Sequence, residues 1–143
     1  MDNEKNGKWG SVAIKTKKIL IVDDSIAIRE LVSTTLEVEK YEVFEASDGE
    51  NAIKIATQEK PHVVIMDVAL PGRIDGIEAT KMIKSNQATR NCTVLILTGN
   101  EDKNLREKGV RAGASDFFLK PFSPLELLQK IENICSEPSS KKR

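Results

Sequence analysis

Three runs of four consecutive aliphatic residues, at 19–22, 63–66 and 94–97, constrain the fold of this chain more than any other feature. A continuous apolar run must be covered on both faces. Short Val/Ile-rich runs of this kind belong to strands inside a parallel sheet. Residues 41–46 and 115–119, the latter with Phe117-Phe118, are two further strand candidates. Segments of helical periodicity lie between them. The first places Ile28, Leu31, Val32, Thr35 and Leu36 on one stripe, and the last does the same with Leu127, Leu128, Ile131, Ile134 and Cys135. Strand and helix alternating five times predict an α/β fold of (βα)5 type, doubly wound, with helices on both faces of an open parallel sheet.

Helix starts are marked by capping chemistry. Asp48 can cap the second helix. Asp75-Gly76-Ile77-Glu78 begins the third, and Ser123-Pro124-Leu125-Glu126 has the form of a capping box with proline at the first helical position. The fourth helix, about residues 100–111, is weakly amphipathic, with Leu105 and Val110 as its main apolar residues. So little apolar area predicts that it is the most mobile helix. The expected domain is 19–135, with polar, loose extensions at 1–18 and 136–143. A domain of this size buries enough surface to fold without disulfide or metal.

The 22 basic and 22 acidic residues cancel over the 143 residues, but not locally. Residues 1–18 carry a net +3, residues 136–143 a net +2 and the intervening 117 residues a net −5. An anionic domain argues against direct nucleic-acid binding by the domain itself and leaves only weak contacts to the tails. Aliphatic runs of four fall far short of the ~20 residues that span a bilayer, and residues 1–18 contain no secretory apolar stretch. Cys92 and Cys135 lie far apart in apolar patterns and are expected to be buried free thiols in a reducing, cytoplasmic compartment. His62 reads as a solvated loop residue, Trp9 as an anchor or an exposed side chain of the N-terminal extension, and 141–143 as a solvated basic end.

Ligands of open parallel sheets bind beyond the carboxyl ends of the strands. There the first strand ends in Asp23-Asp24, the third in Asp67, the fourth in Thr98-Gly99 and the fifth in Lys120-Pro121. Each has a bland reading alone: a helix cap, a polar strand end, a turn, a loop start. Together they would bring three carboxylates, a hydroxyl and an ammonium to one edge. Clustered carboxylates either raise a pKa or hold a cation. An oxygen-only set suits Mg²⁺, and the absence of His and Cys argues against Zn²⁺. Beside a dication, an aspartate oxygen can attack phosphorus. The added charge then needs an ammonium and a hydroxyl donor.

Several motifs carry a family resemblance: Ile19-Leu-Ile-Val-Asp-Asp24, Val63-Val-Ile-Met-Asp67, Leu70-Pro71, Asp75-Gly76, Ile96-Leu-Thr-Gly99, and Ala112-Gly-Ala-Ser-Asp-Phe117 through Lys120-Pro121-Phe122. Over residues 19–135 the chain resembles the receiver domain of bacterial two-component response regulators. Separations of 43, 31 and 22 residues along Asp24, Asp67, Thr98 and Lys120 agree with it. The resemblance implies strand order 2-1-3-4-5. It makes Asp67 the phosphoacceptor, and Asp24, Asp67 and the Ala69 backbone carbonyl the Mg²⁺ ligands, with Asp23 helping through a bound water. Lys120 would pair with the phosphoryl group and Thr98 would swing to it. Phe117 would be the switch aromatic that follows Thr98 inward, and Lys120–Pro121 a cis bond. The implied partners are a sensor histidine kinase or phosphotransfer protein and a downstream protein target. Phosphorylation would alter the surface of the fourth helix, fifth strand and fifth helix, and a phosphorylation-dependent homodimer fits the family.

The chain departs from the pattern in places. The loop after Pro71 is one residue longer, through Gly72-Arg73, and bears on partner access. Phe117 carries no phenol, and Ala69 and Asn100 stand where the family tunes autodephosphorylation.

The leading expectation is a phosphorylation-dependent switch with no enzymatic role beyond its own phosphorylation and dephosphorylation. The alternative is a receiver-fold interaction module that is not phosphorylated, which the complete residue set opposes. A phosphatase would need a second Asp at position 69, which is Ala. A flavin carrier would need a glycine-rich phosphate loop where Asp23-Asp24 stands. With no output domain after 135, the sequence reads as a stand-alone receiver or a piece of a longer regulator.

Overall fold

A computed structural model describes residues 17–100 and 102–136. The elements alternate as the aliphatic runs require: β1 (Lys18–Val22), α1 (Ile26–Glu37), β2 (Glu42–Ala46), α2 (Gly49–Glu59), β3 (Val63–Asp67), α3 (Gly76–Ser85), β4 (Thr93–Thr98), α4 (Lys103–Ala112), β5 (Asp116–Leu119) and α5 (Pro124–Ser136). All four strand pairings are parallel and give the order β2-β1-β3-β4-β5. The tail expectations for Trp9 and 141–143 lie outside the described residues.

Side-chain alternation sorts each central strand between two cores. Leu20, Val22, Val64, Met66, Val94 and Ile96 face α2 and α3, where Ala52, Ala56, Ala79 and Ile83 are buried against them. Ile19, Ile21, Val63, Ile65, Leu95 and Leu97 face the opposite way, onto Val32 and Leu36 of α1 and Leu127 and Ile131 of α5. Both faces of β1, β3 and β4 are therefore dry, which is why their sequences are unbroken by polar residues. The thiol of Cys92 is buried in the first core as expected, whereas Cys135, expected to be buried, is only partly so, because it sits in the last turn of α5 at the margin of the second core.

Capping follows the sequence at three helices: the side chains of Asp48, Asp75 and Ser123 accept from Asn51, Glu78 and Glu126 N–H. At α1 the cap is Ser25, whose hydroxyl accepts from Ile28 N–H, and not the Asp23-Asp24 pair that reads as a cap in isolation. The stripe on α1 is also narrower than its pattern: Leu31 is exposed, while Ser33 is buried. On α4 the buried residues are Gly109 and Ala112, and Val110 points to solvent. The helix sits close to the sheet through its smallest residues, with the partly buried Leu105 on the same face, so of its two main apolar residues only Val110 lies off the inner face.

Candidate functional site

The site forms where the carboxyl ends of β1, β3, β4 and β5 meet. Asp67 is the last residue of β3 and lies opposite Leu97 of β4, whose carbonyl accepts from Val68 N–H. Thr98 ends β4 opposite Leu119 of β5, and the Thr98 carbonyl accepts from Lys120 N–H. Register alone thus brings residues 31 and 22 apart in sequence to neighbouring strand ends. Gly76 fixes the floor. A Cβ there would fall on the Asp67 carbonyl oxygen, so only glycine lets α3 start this close to the β3 end. The Lys120–Pro121 peptide is cis.

Among the described residues, Asp23, Asp24 and Asp67 each bring a carboxylate oxygen within 4.8 Å of the others. Asp23 and Asp67 are buried and Asp24 is exposed. Lys120 reaches in from the β5 end. Its Nζ donates to Asp67 Oδ1 at 3.2 Å and lies 2.9 Å from Asp23 Oδ2. The second contact is an ion pair by distance but is not aligned as a hydrogen bond, so Asp23 Oδ2 is a buried oxygen with no hydrogen-bond partner. Burial first, and then the charge of Asp23, push the Asp67 carboxyl above the usual carboxylate range, against the pull of Lys120 and a backbone hydrogen bond from Ala69. Burial alone would lower Lys120. Its contacts with Asp23 and Asp67 outweigh that and hold it above the usual lysine value.

This donor set fits a hard dication. It is made of oxygens, its two buried carboxylates share a single ammonium, and its exposed member, Asp24, keeps the cluster open to solvent-borne ligands. Ala69 is exposed beside it.

The Thr98 hydroxyl is engaged with its own loop. It accepts from Asn100 N–H at 3.1 Å and donates to the Asn100 carbonyl at 3.2 Å. Phe117, partly buried, packs against the inner core beneath α4. The guanidinium of Arg106 stands 4.6 Å from its ring centroid. A cavity of about 160 Å³ opens between Thr98, Asn100, Arg106 and Phe117. The lengthened loop turns at Gly72 (φ +91°) and carries Arg73 to 3.7 Å from Glu50 of α2, with both side chains largely exposed. His62 lies at the opposite end of the sheet, exposed, with Nδ1 accepting from Lys18 N–H at 3.0 Å.

A layer behind the acids escaped sequence reading. Arg29 Nη1 donates to the Asp23 carbonyl at 2.7 Å and its Nε to Glu45 Oε1 at 3.0 Å, while Glu45 Oε2 accepts from the buried Ser33 hydroxyl at 2.9 Å. The only sequence hint is that these polar residues border the apolar stripes of α1 and β2.

Comparison with known proteins identifies the family of the chain. The profile of the response regulator receiver domain matches residues 19–132. The chain is 40% identical over 118 residues to the alkaline phosphatase synthesis transcriptional regulatory protein PhoP of Bacillus subtilis, an alignment covering 82% of this chain and 48% of that protein. It spans about half the length of the curated relatives it matches. Its fold superimposes on the Vibrio cholerae chemotaxis protein CheY4 with a TM-score of 0.79 and 34% identity, covering 84% of this chain and 99% of that one. It also matches the receiver domain of the sensor histidine kinase PA1611 of Pseudomonas aeruginosa, a structure with a magnesium ion coordinated in the active site cleft (TM-score 0.76, 29% identity, 85% and 100% covered). With the acids, threonine and lysine at the ends of a 2-1-3-4-5 sheet, the chain belongs to the response regulator receiver domains of two-component signalling systems.

Proposed function

We propose that this receiver domain is a phosphorylation-dependent switch in which Asp67 takes a phosphoryl group from a phosphohistidine with Mg²⁺ bound at the acid cluster. The observation that carries the reading is the convergence of Asp23, Asp24 and Asp67 within 4.8 Å, with Lys120 donating to Asp67. Asp23, Asp24, Asp67 and the Ala69 carbonyl are the residues that would hold the ion. When bound, it supplies positive charge for the oxygens of the transferring phosphoryl group. An Asp67 carboxylate oxygen attacks phosphorus, the P–N bond to the donor histidine breaks, and an acyl phosphate forms. Lys120, already poised between Asp67 and Asp23, neutralises part of the new charge. Thr98 would give up its bonds to Asn100 and donate to a phosphoryl oxygen, and Phe117 would follow it inward. Without a phenol, Phe117 reports that move by packing alone.

The phosphodonor in this reading is a sensor histidine kinase or phosphotransfer protein, met in the cytoplasm. The output is a changed α4–β5–α5 surface offered to a downstream protein or to a second phosphorylated copy. Catalysis is confined to the chain's own phosphorylation and dephosphorylation. Intact mass tests the proposal. With Mg²⁺ and a small acyl phosphate, the wild type should gain one phosphoryl group and Asp67→Asn should gain none. An unchanged wild-type mass sinks the reading and favours a non-phosphorylated interaction module.

A further inference from the structure

The acid cluster depends on where a short stretch of backbone points. Asp23 is held at several atoms. Its N–H donates to the Ala46 carbonyl of β2 at 3.1 Å, and its Oδ1 accepts from Ser25 N–H at 2.9 Å. Its own carbonyl, one end of the peptide that leads into Asp24, accepts from Arg29. That carbonyl fixes the plane of the Asp23–Asp24 peptide, and so the direction in which the Asp24 side chain leaves the backbone. Asp24 is exposed, unlike its two neighbours in the cluster.

Arg29 is equipped for this task. Its guanidinium is a rigid planar fork, and here two different prongs are used, one on the Asp23 carbonyl and one on Glu45. A charged donor on a carbonyl makes a short, strong bond. The other carboxylate oxygen of Glu45 is taken by the Ser33 hydroxyl, so Glu45 cannot rotate away without breaking both contacts. Its negative charge also compensates the guanidinium. Arg29 thereby offers a directional donor behind the acids without standing as a free counter-ion to them.

We infer that Arg29, oriented by the Glu45–Ser33 pair, is a positioning residue that pre-forms the Asp23–Asp24 arm of the cation site. This rests on the Mg²⁺ reading given above. Groups behind a metal's ligands typically change its affinity by about 10–100-fold when removed.

The test is calorimetric titration of the purified chain with Mg²⁺ alone. Arg29→Gln should weaken binding about 10-fold or more. Arg29→Lys, which keeps the charge but not the fork, should fall between Arg29→Gln and wild type, and Ser33→Ala should lose less than either. Ile131→Val, a core change on α5 in the core that α1 shares, serves as the control for stability and should titrate as wild type even where its melting temperature matches that of Arg29→Gln. In metal-free protein, hydrogen exchange at the Asp23 and Ser25 amides should quicken in Arg29→Gln while the β4 amides stay protected. Equal Mg²⁺ affinity in wild type and Arg29→Gln, or an equal loss in Ile131→Val, overturns the role given to Arg29 alone. A wild type that takes up no Mg²⁺ overturns the cation reading and this inference with it.

Discussion

Burial and Asp23 push the Asp67 carboxyl up, and Lys120 only partly compensates. Asp67 thus has a folded-state pKa above its unfolded value, so the folded chain binds the extra proton. The stability that proton confers is complete below the unfolded value and is lost as pH rises through the raised folded value. At neutral pH the ionised carboxylate therefore opposes folding. Asp67→Asn, besides losing phosphorylation, should raise the melting temperature in metal-free buffer at pH 7, as thermal denaturation would show. His62 works in the opposite sense. Although the ring is largely exposed, its partial burial first, and then the charges of Lys17 and Lys18, favour the neutral form, and its pKa lies below 6.5. Its contribution is present above 6.5 and fades as pH falls below that value toward the lowered folded one. His62→Gln, which keeps an acceptor, should flatten that part of a melting-temperature profile between about pH 7 and 5.5. A profile as steep as wild type would remove His62 from the account.

At the scale of elements, α4 shows how packing overrides local preference. Glycine inside a helix normally costs about 1 kcal/mol against alanine. At Gly109, however, a Cβ would meet Phe117 Cζ at 2.7 Å and Ile96 Cδ1 at 3.0 Å. Gly109→Ala should therefore destabilise the protein by about 1 kcal/mol net, the strain of overpacking exceeding the gain in propensity. In a Phe117→Leu background the same change should become neutral or stabilising. Denaturant midpoints for the four proteins of this cycle decide the matter, and an additive result would show that Gly109 and Phe117 do not constrain each other. The family resemblance pairs Phe117 with Thr98, but the sequence does not show that the ring rests on α4 under Arg106. That contact spans 106 to 117 and depends on how closely the helix approaches the sheet.

For the molecule as a whole, the cation reading makes stability depend on divalent metal. A ligand that binds only the folded chain stabilises it by about 2.7 kcal/mol at a hundredfold excess over its Kd. Mg²⁺ should raise the melting temperature accordingly, where sodium at equal ionic strength does not, and Asp24→Asn should abolish most of the rise. Equal shifts with sodium would reduce the effect to general screening of an anionic domain.

The strand order followed from the family resemblance, but the strand runs by themselves announced a parallel sheet, because a strand dry on both faces must be written as an unbroken apolar stretch. Capping residues placed most helix starts for the same reason: an orphan N–H needs an acceptor a fixed few residues away. The positions of Asp23, Asp24, Asp67 and Lys120 at strand ends likewise announced that they would converge on one edge. What the tertiary structure decided was which chemically adequate candidate won a local contest. Ser25, and not Asp23 or Asp24, caps α1, because Asp23 is turned toward Lys120. Gly109, and not Val110, faces the sheet. Arg29 finds Asp23 and Glu45 together only once β2 lies beside β1. Such contacts join residues through the approach of separate elements, a distance that no periodicity or motif along the chain encodes.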